Sequence, residues 1–285
     1  MDSNLELIKK DPYINEIIKK YNLSDSFLEQ NISKLVRVLE SRSKCSGCKG
    51  LYCCSQKSVG ERYGLSFDKV LFEEIEYCEY GADRLKKDNL SRSYLYCDVP
   101  DKLIDVDLNN IKPTNEQNVL FVPLYDIYEN VRTKGLYIAG DLGVGKTYLC
   151  VALANSLVKK GEKVAFVKVS DFFNEMKSYF SSRSDLIDIN MNKLQKAKYL
   201  FLDDIGSEAV SEFVRDDTLF RILDYRLENN LTTIFTSNLN KSELEKHYTY
   251  DRNDKSNAMK AKRLMERIDI LSDNIVLAGK NMRRQ

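Results

Sequence analysis

Residues 135–147 read Gly135-Leu136-Tyr137-Ile138-Ala139-Gly140-Asp141-Leu142-Gly143-Val144-Gly145-Lys146-Thr147. An apolar run leads into G-x-x-x-x-G-K-T, and an amphipathic run from Tyr148 to Lys160 follows. That order predicts a strand, a phosphate-binding loop and a helix. Glycines let successive backbone N–H groups curl around a pyrophosphate, and the positive helix end points at the anion. Lys146 is expected to reach the β- and γ-phosphates of ATP, with the Thr147 hydroxyl on Mg²⁺. The bland alternative, a glycine-rich turn, does not require that flanking pattern.

A second apolar run, Tyr199-Leu200-Phe201-Leu202, ends in Asp203-Asp204. A buried strand that delivers carboxylates beside the nucleotide is the partner a phosphate loop needs. Asp203 is expected to hold Mg²⁺, and Asp204 to orient or deprotonate the attacking water. Thr232-Thr233-Ile234-Phe235-Thr236-Ser237-Asn238 is a further β-rich run with a polar end. Asn238 there could bond the γ-phosphate or the water, or be an ordinary turn asparagine. In the basic stretch Lys262-Arg263-Leu264-Met265-Glu266-Arg267-Ile268, Arg263 and Arg267 lie four apart on one helical face. Both could reach one anion, or form a solvated face with Glu266.

Outward from these motifs, apolar runs alternate with helical patterns from Val119 onward, as in a parallel α/β sheet. Strands are expected at Leu136–Ala139, Val164–Val169, Tyr199–Leu202 and Thr232–Thr236. Upstream, Lys86 to Asn118 is polar, contains Pro100 and Pro113, and reads as linker and lead-in. Residues 1 to about 40 read as helical, with Asn22-Leu23-Ser24-Asp25 a break and N-cap before a second helix. The expected division is therefore 1–85, 86–118 and 119–285.

Six of the seven cysteines lie between residues 45 and 97. Such clustering in an intracellular chain favours metal over disulfides. Cys45-x-x-Cys48, adjacent Cys53 and Cys54, and Cys78 can supply four thiolates to Zn²⁺, the fourth being Cys54 or Cys53. Reduced surface thiols are the alternative, because the second half lacks its own C-x-x-C.

The 285 residues carry a net charge of +1, with 31% charged and 43% hydrophobic residues, enough for a buried core and a solvated surface. No apolar stretch reaches membrane-spanning length, and the first residues carry no basic and apolar leader pattern, so a cytoplasmic protein is expected. Residues 255–285 hold eight Lys/Arg against three Asp/Glu. That local charge is either a solvated surface or a phosphate-binding patch.

Taken together, GDLGVGKTYL, YLFLDDIGSE, FVRDDTLFRILDYRLENNL, TTIFTSNL and AKRLMERIDIL resemble the DnaC/DnaI-type replicative helicase loaders, AAA+ ATPases of the bacterial primosome. The resemblance covers most of the chain. It implies an α/β AAA+ P-loop core without a large helical lid, preceded by a small N-terminal helical zinc-binding domain. It implies that Gly140–Thr147 are Walker A, Asp203 and Asp204 Walker B, and Asn238 sensor 1. Arg267 best matches the arginine finger, with Arg263 the other choice. Walker B usually ends in Glu in AAA+ proteins; the shorter Asp204 stands there as in the initiator and loader branch. The family's zinc site can include a histidine, and none lies near this cluster. The implied partners are the replicative helicase hexamer, single-stranded DNA at the AAA+ core, and further copies of the chain. Two other functions fit the loop, a transposition helper of the IstB type acting on duplex DNA and a small-molecule P-loop kinase. The N-terminal module favours the loader over the helper. The kinase leaves Asn238 and Arg267 unexplained.

Overall fold

The computed structural model describes residues 2–180, 183–249 and 255–282. The chain divides into two compact units, 1–86 and 87–285.

The first unit opens with helices α1 (Asp2–Lys9), α2 (Pro12–Tyr21), α3 (Asp25–Gln30) and α4 (Ile32–Ser43). Side-chain caps set the breaks. Asp11 accepts the N–H groups of Tyr13 and Ile14 with Pro12 in the first turn, and Ser24 accepts that of Phe27. Leu5, Ile8, Ile14, Leu28, Leu35 and Val38 form the core. The expected helical domain is not helical throughout: β1 (Glu61–Asp68) and β2 (Val70–Tyr77) form an antiparallel hairpin. Its turn falls on Lys69 in the left-handed region at φ 61°. The period-two run Tyr63, Leu65, Phe67 was its signal, and Leu65 and Leu71 join the core.

The second unit is a three-layer α/β/α arrangement. In chain order its elements are α5 (Glu79–Arg92, entering from the first unit), β3 (Tyr96–Cys97), α6 (Asn118–Tyr128), β4 (Gly135–Ala139) and α7 (Lys146–Lys159). Then come β5 (Val164–Lys168), α8 (Val169–Ser178), α9 (Ser184–Lys196) and β6 (Tyr199–Asp203). A π-helical stretch Phe213–Phe220 leads into α10 (Arg221–Glu228), β7 (Thr232–Ser237), α11 (Lys241–Tyr248), α12 (Lys255–Leu271) and β8 (Ser272–Val276). Among the described residues the sheet has six strands, ordered β3-β5-β6-β7-β4-β8, and every pairing is parallel. Alternate residues face two separate cores: Leu136, Ile138, Phe166, Phe201 and Ile234 meet α6 and α7, while Tyr137, Val167, Leu200, Leu202 and Phe235 meet the helices opposite. Being covered on both faces, these strands read as continuous apolar runs.

Two expectations fail in this unit. Residues 86–118, expected as linker and lead-in, carry more structure than a linker. Tyr96–Cys97 adds a parallel edge strand beside β5, and Tyr94, Val99, Ile104 and Leu108 are buried. This lead-in packs on α7 through polar bonds: Asn155 Nδ2 donates to the carbonyls of Leu103 and Val106, and Tyr94 donates to Asn155 Oδ1. For the same reason α7 is not amphipathic. Leu149 through Val158 are all buried, with the sheet beneath and the lead-in above.

Candidate functional site

The sheet order decides what meets. β7 lies between β6 and β4, so the carboxyl ends of three strands place Asp203, Asn238 and the Gly140–Thr147 loop side by side. Open parallel sheets hold ligands at such strand ends.

Gly143 and Gly145 take left-handed φ of +83° and +102°, a conformation other residues adopt at a cost. Gly145 precedes α7, whose N-terminus carries no side-chain cap bond, and a helix N-terminus favours an anion. Lys146, 7% exposed, folds back over the loop. Its Nζ donates to the carbonyl oxygens of Gly140 at 2.6 Å and Asp141 at 2.9 Å, and to Asn238 Oδ1 at 2.9 Å. Asn238 Nδ2 donates in turn to Asp204 Oδ1 at 2.9 Å.

Asp203 receives two hydroxyls on one oxygen, from Thr147 at 2.8 Å and Thr236 at 2.7 Å. Burial pushes its carboxyl above the ordinary value, and the two hydroxyl bonds oppose that shift. Asp204 sits in the left-handed region at φ 59°, its N–H donating to Thr236 Oγ1 at 2.9 Å. Thr147 and Asp203 thus present hard oxygen donors within bonding distance of each other, a set that fits Mg²⁺ beside a phosphate. The glycine cradle and Lys146 fit the polyphosphate itself.

Asp141, Leu142 and Val144 complete the loop. Leu142 is exposed and Val144 is buried in the core around α7. Arg267 joins a different group. Its Nε donates to Asp224 Oδ1 at 3.1 Å and Nη1 to Glu266 Oε2 at 3.0 Å. Its guanidinium lies over the Phe220 ring at 4.9 Å, as that of Arg263 does at 5.0 Å. The two arginines do share a face, and these partners lie outside the phosphate loop.

Three contributors were missed. Thr236, noted in sequence only as part of a polar end, organises both acids. Lys168 pairs in register with Asp203 and is held by Asp171, and a lysine closing a buried strand was its only trace. The C-terminal segment returns to the loop, where the Met282 N–H donates to Gly143 O at 3.0 Å. No sequence signal marked that return.

The cysteines do not form the expected cage. Among the described residues, no three His, Cys, Asp or Glu side chains are placed to share a metal ion. Cys45 Sγ accepts from Gln56 Nε2 at 3.2 Å, Cys48 Sγ donates to Gly50 O at 3.5 Å, and Cys78 Sγ accepts the Gly81 N–H at 3.4 Å. Each thiol is taken up by its own neighbours. Backbone N–H groups of Gly60 and Gln56 lower the Cys54 thiol below its ordinary value.

A parallel sheet with a glycine phosphate loop, paired strand-end acids and a strand-end asparagine defines a P-loop ATPase of AAA+ type. A model of the IstB-like ATP-binding protein family matches residues 123–285. The replicative helicase loader DnaI of Bacillus subtilis (strain 168) is 29% identical over 98% of this chain and 91% of its own. A crystal structure of DnaI superimposes with TM-score 0.57 at 32% identity, covering 66% of this chain and 98% of that one. AMPPCP-bound DnaA from Aquifex aeolicus matches at TM-score 0.50 and 20% identity over 62% of this chain and 51% of its own, a likeness of fold alone. The chain belongs to the IstB-like ATP-binding family and, within it, to the DnaI/DnaC-type helicase loaders.

Proposed function

We propose that this ATPase loads the replicative DNA helicase, working in the cytoplasm. The relationship that carries the ATPase half is Asn238, which touches both Lys146 and Asp204. One side chain can therefore report on phosphate and water together. Lys146 exchanges these oxygen partners for β- and γ-phosphate oxygens. Asp204 holds and deprotonates the attacking water, and Asn238 orients it. Thr147 and Asp203 would hold Mg²⁺, which neutralises charge on the β- and γ-phosphate oxygens when bound. Arg267 acts on the nucleotide of a neighbouring copy assembled on the helicase; its own partners lie on α10, α12 and the π-helical stretch.

Support for the loader half is the reach of the similarity. The family model begins at residue 123, whereas the match to DnaI runs through the first unit as well. Residues 1–85 are the helicase-binding module in this reading, and the AAA+ core contacts single-stranded DNA with the basic 255–285 region contributing. Counterion release makes that DNA contact fall steeply with salt. Zinc at Cys45, Cys48, Cys78 and Cys54 or Cys53 belongs to the same proposal, on the C-x-x-C spacing and the N–H bonds that favour a thiolate at Cys54. Zinc there requires the thiols to leave the partners described above, and no step is assigned to it.

Co-purification of the full chain with the cognate helicase, with and without ATP, tests the function. Nucleotide-dependent capture is expected. Failure to bind helicase, with binding of a transposase instead, would transfer the chain to the transposition-helper reading. Fragments 1–85 and 110–285 test the division of labour, and helicase binding by 110–285 alone would overturn it.

A further inference from the structure

Glu208 is a carboxylate only 4% exposed, and the chemistry above does not use it. It stands where the chain leaves β6. After Asp203 the backbone turns sharply, with Asp204 at φ 59° and Gly206 at φ 91°. A left-handed aspartate costs about 1 kcal/mol and persists only where neighbours hold it. From β7, Thr236 O accepts the Ile205 N–H at 2.9 Å, and Ser237 Oγ donates to Ile205 O at 2.6 Å. From within the turn, Ser207 Oγ donates to Asp204 O at 2.7 Å.

The far side of the turn rests on Glu208. Its Oε2 accepts the Gly206 N–H at 2.8 Å, and its Oε1 accepts the Tyr248 hydroxyl at 2.5 Å. Tyr248 ends α11 and is fully buried. Burial and the Glu208 charge push its phenol well above the ordinary value, so it stays a donor. The Tyr248 carbonyl accepts from Arg215 Nη1 at 3.0 Å, and the same nitrogen reaches Asn257 Oδ1 on α12 at 2.9 Å. A continuous set of bonds therefore runs from α12, which carries Arg263 and Arg267, to the turn that aims Asp204.

We propose that Glu208 is a positioning residue for ATP hydrolysis, tying the Asp204 turn to Tyr248 so that the placement of α11 and α12 sets the aim of Asp204. The inference rests on the reading above that Asp204 acts on the attacking water. Its consequence is regulatory, because anything that shifts α12 at an assembled interface alters turnover without touching nucleotide affinity.

Steady-state turnover and nucleotide affinity of Tyr248→Phe, Glu208→Ala, Glu208→Gln and Ser207→Ala test it, with Asp204→Asn as reference. Rates are normalised to chains that bind nucleotide, which removes any loss of fold. Tyr248→Phe and Glu208→Ala are expected to lower kcat about tenfold or more while the nucleotide Kd stays within about twofold. Glu208→Gln should recover much of that loss, since its amide oxygen can still accept the Gly206 N–H. Ser207→Ala, at an exposed position, should lower kcat less and leave Tm unchanged; Tyr248→Phe carries the test if Glu208→Ala does not fold. Wild-type kcat in Tyr248→Phe, with Asp204→Asn inactive, overturns the Glu208 proposal alone. Wild-type turnover in Asp204→Asn overturns the reading of Asp204 and this inference with it.

Discussion

Lys146 and Asn238 are bonded to each other, Nζ to Oδ1 at 2.9 Å, although 92 positions separate them in the chain. The phosphate lysine thus rests on protein oxygens that a polyphosphate must replace. Removing the charge leaves nothing to make that exchange. Lys146→Ala is expected to weaken ATP binding by about 100-fold or more, read by calorimetric titration, because charge-assisted bonds are the strong ones. An unchanged affinity would refute the assignment of the loop.

The two acids should behave differently from the lysine. Asp203→Asn and Asp204→Asn are expected to keep ATP affinity within about tenfold while turnover falls by about 100-fold or more, since they act on metal and water. Thr236→Val removes the hydroxyl that bonds both residues and should also lower kcat more than affinity. A Thr236→Val enzyme with the wild-type rate would show that the hydroxyl serves packing only.

Arg267 is expected to act across subunits. Arg267→Ala should bind ATP almost normally and lose most of its turnover, as loss of an arginine finger does. Mixing it with Lys146→Ala should restore part of the activity, because one mixed interface joins an intact loop to an intact arginine. Absence of any complementation, together with a contact from Arg267 to its own nucleotide, would place the residue in cis.

Metal content decides the cysteine question. One zinc per chain after dialysis is expected, with Zn–S near about 2.3 Å by X-ray absorption. Chelation should then perturb the first unit and spare ATP binding by the second. Metal-free protein with an unaltered first unit would remove zinc from the proposal.

A pH dependence follows from Asp98, whose carboxyl accepts the Lys168 N–H and is pushed by burial up to about 6 from an ordinary 3.8. Because the folded value lies above the unfolded one, the folded chain binds the extra proton. Its stabilising effect is complete below about pH 4 and is lost as pH rises through about 6. Asp98→Asn keeps an acceptor and removes the titration. Between pH 4.5 and 7.5 the wild type should lose about 1–2 kcal/mol relative to the variant, measured by urea denaturation. Parallel pH profiles for the two chains would contradict this.

Local pattern determined a great deal of this protein. The strand–loop–helix at 135–160, the acid-tipped strand at 199–204 and the polar-ended strand at 232–238 were readable because each is a short run whose residue types and order carry the signal. The flanking apolar runs fall where β4, β5, β6 and β7 stand, within a residue or so at each end. Sequence spacing could not say that β7 enters between β6 and β4, yet that crossover makes Asn238 bridge Lys146 and Asp204 and sets Thr236 against Asp203. It likewise hid the lead-in strand at Tyr96–Cys97, too short to carry a period, and the return of Met282 to Gly143. The clamp of Tyr248 on Glu208 joins residues 40 apart through a packed core. Composition and spacing constrain what a segment can become; which segments then share a bond depends on the order in which strands join the sheet, and only the assembled fold decides that.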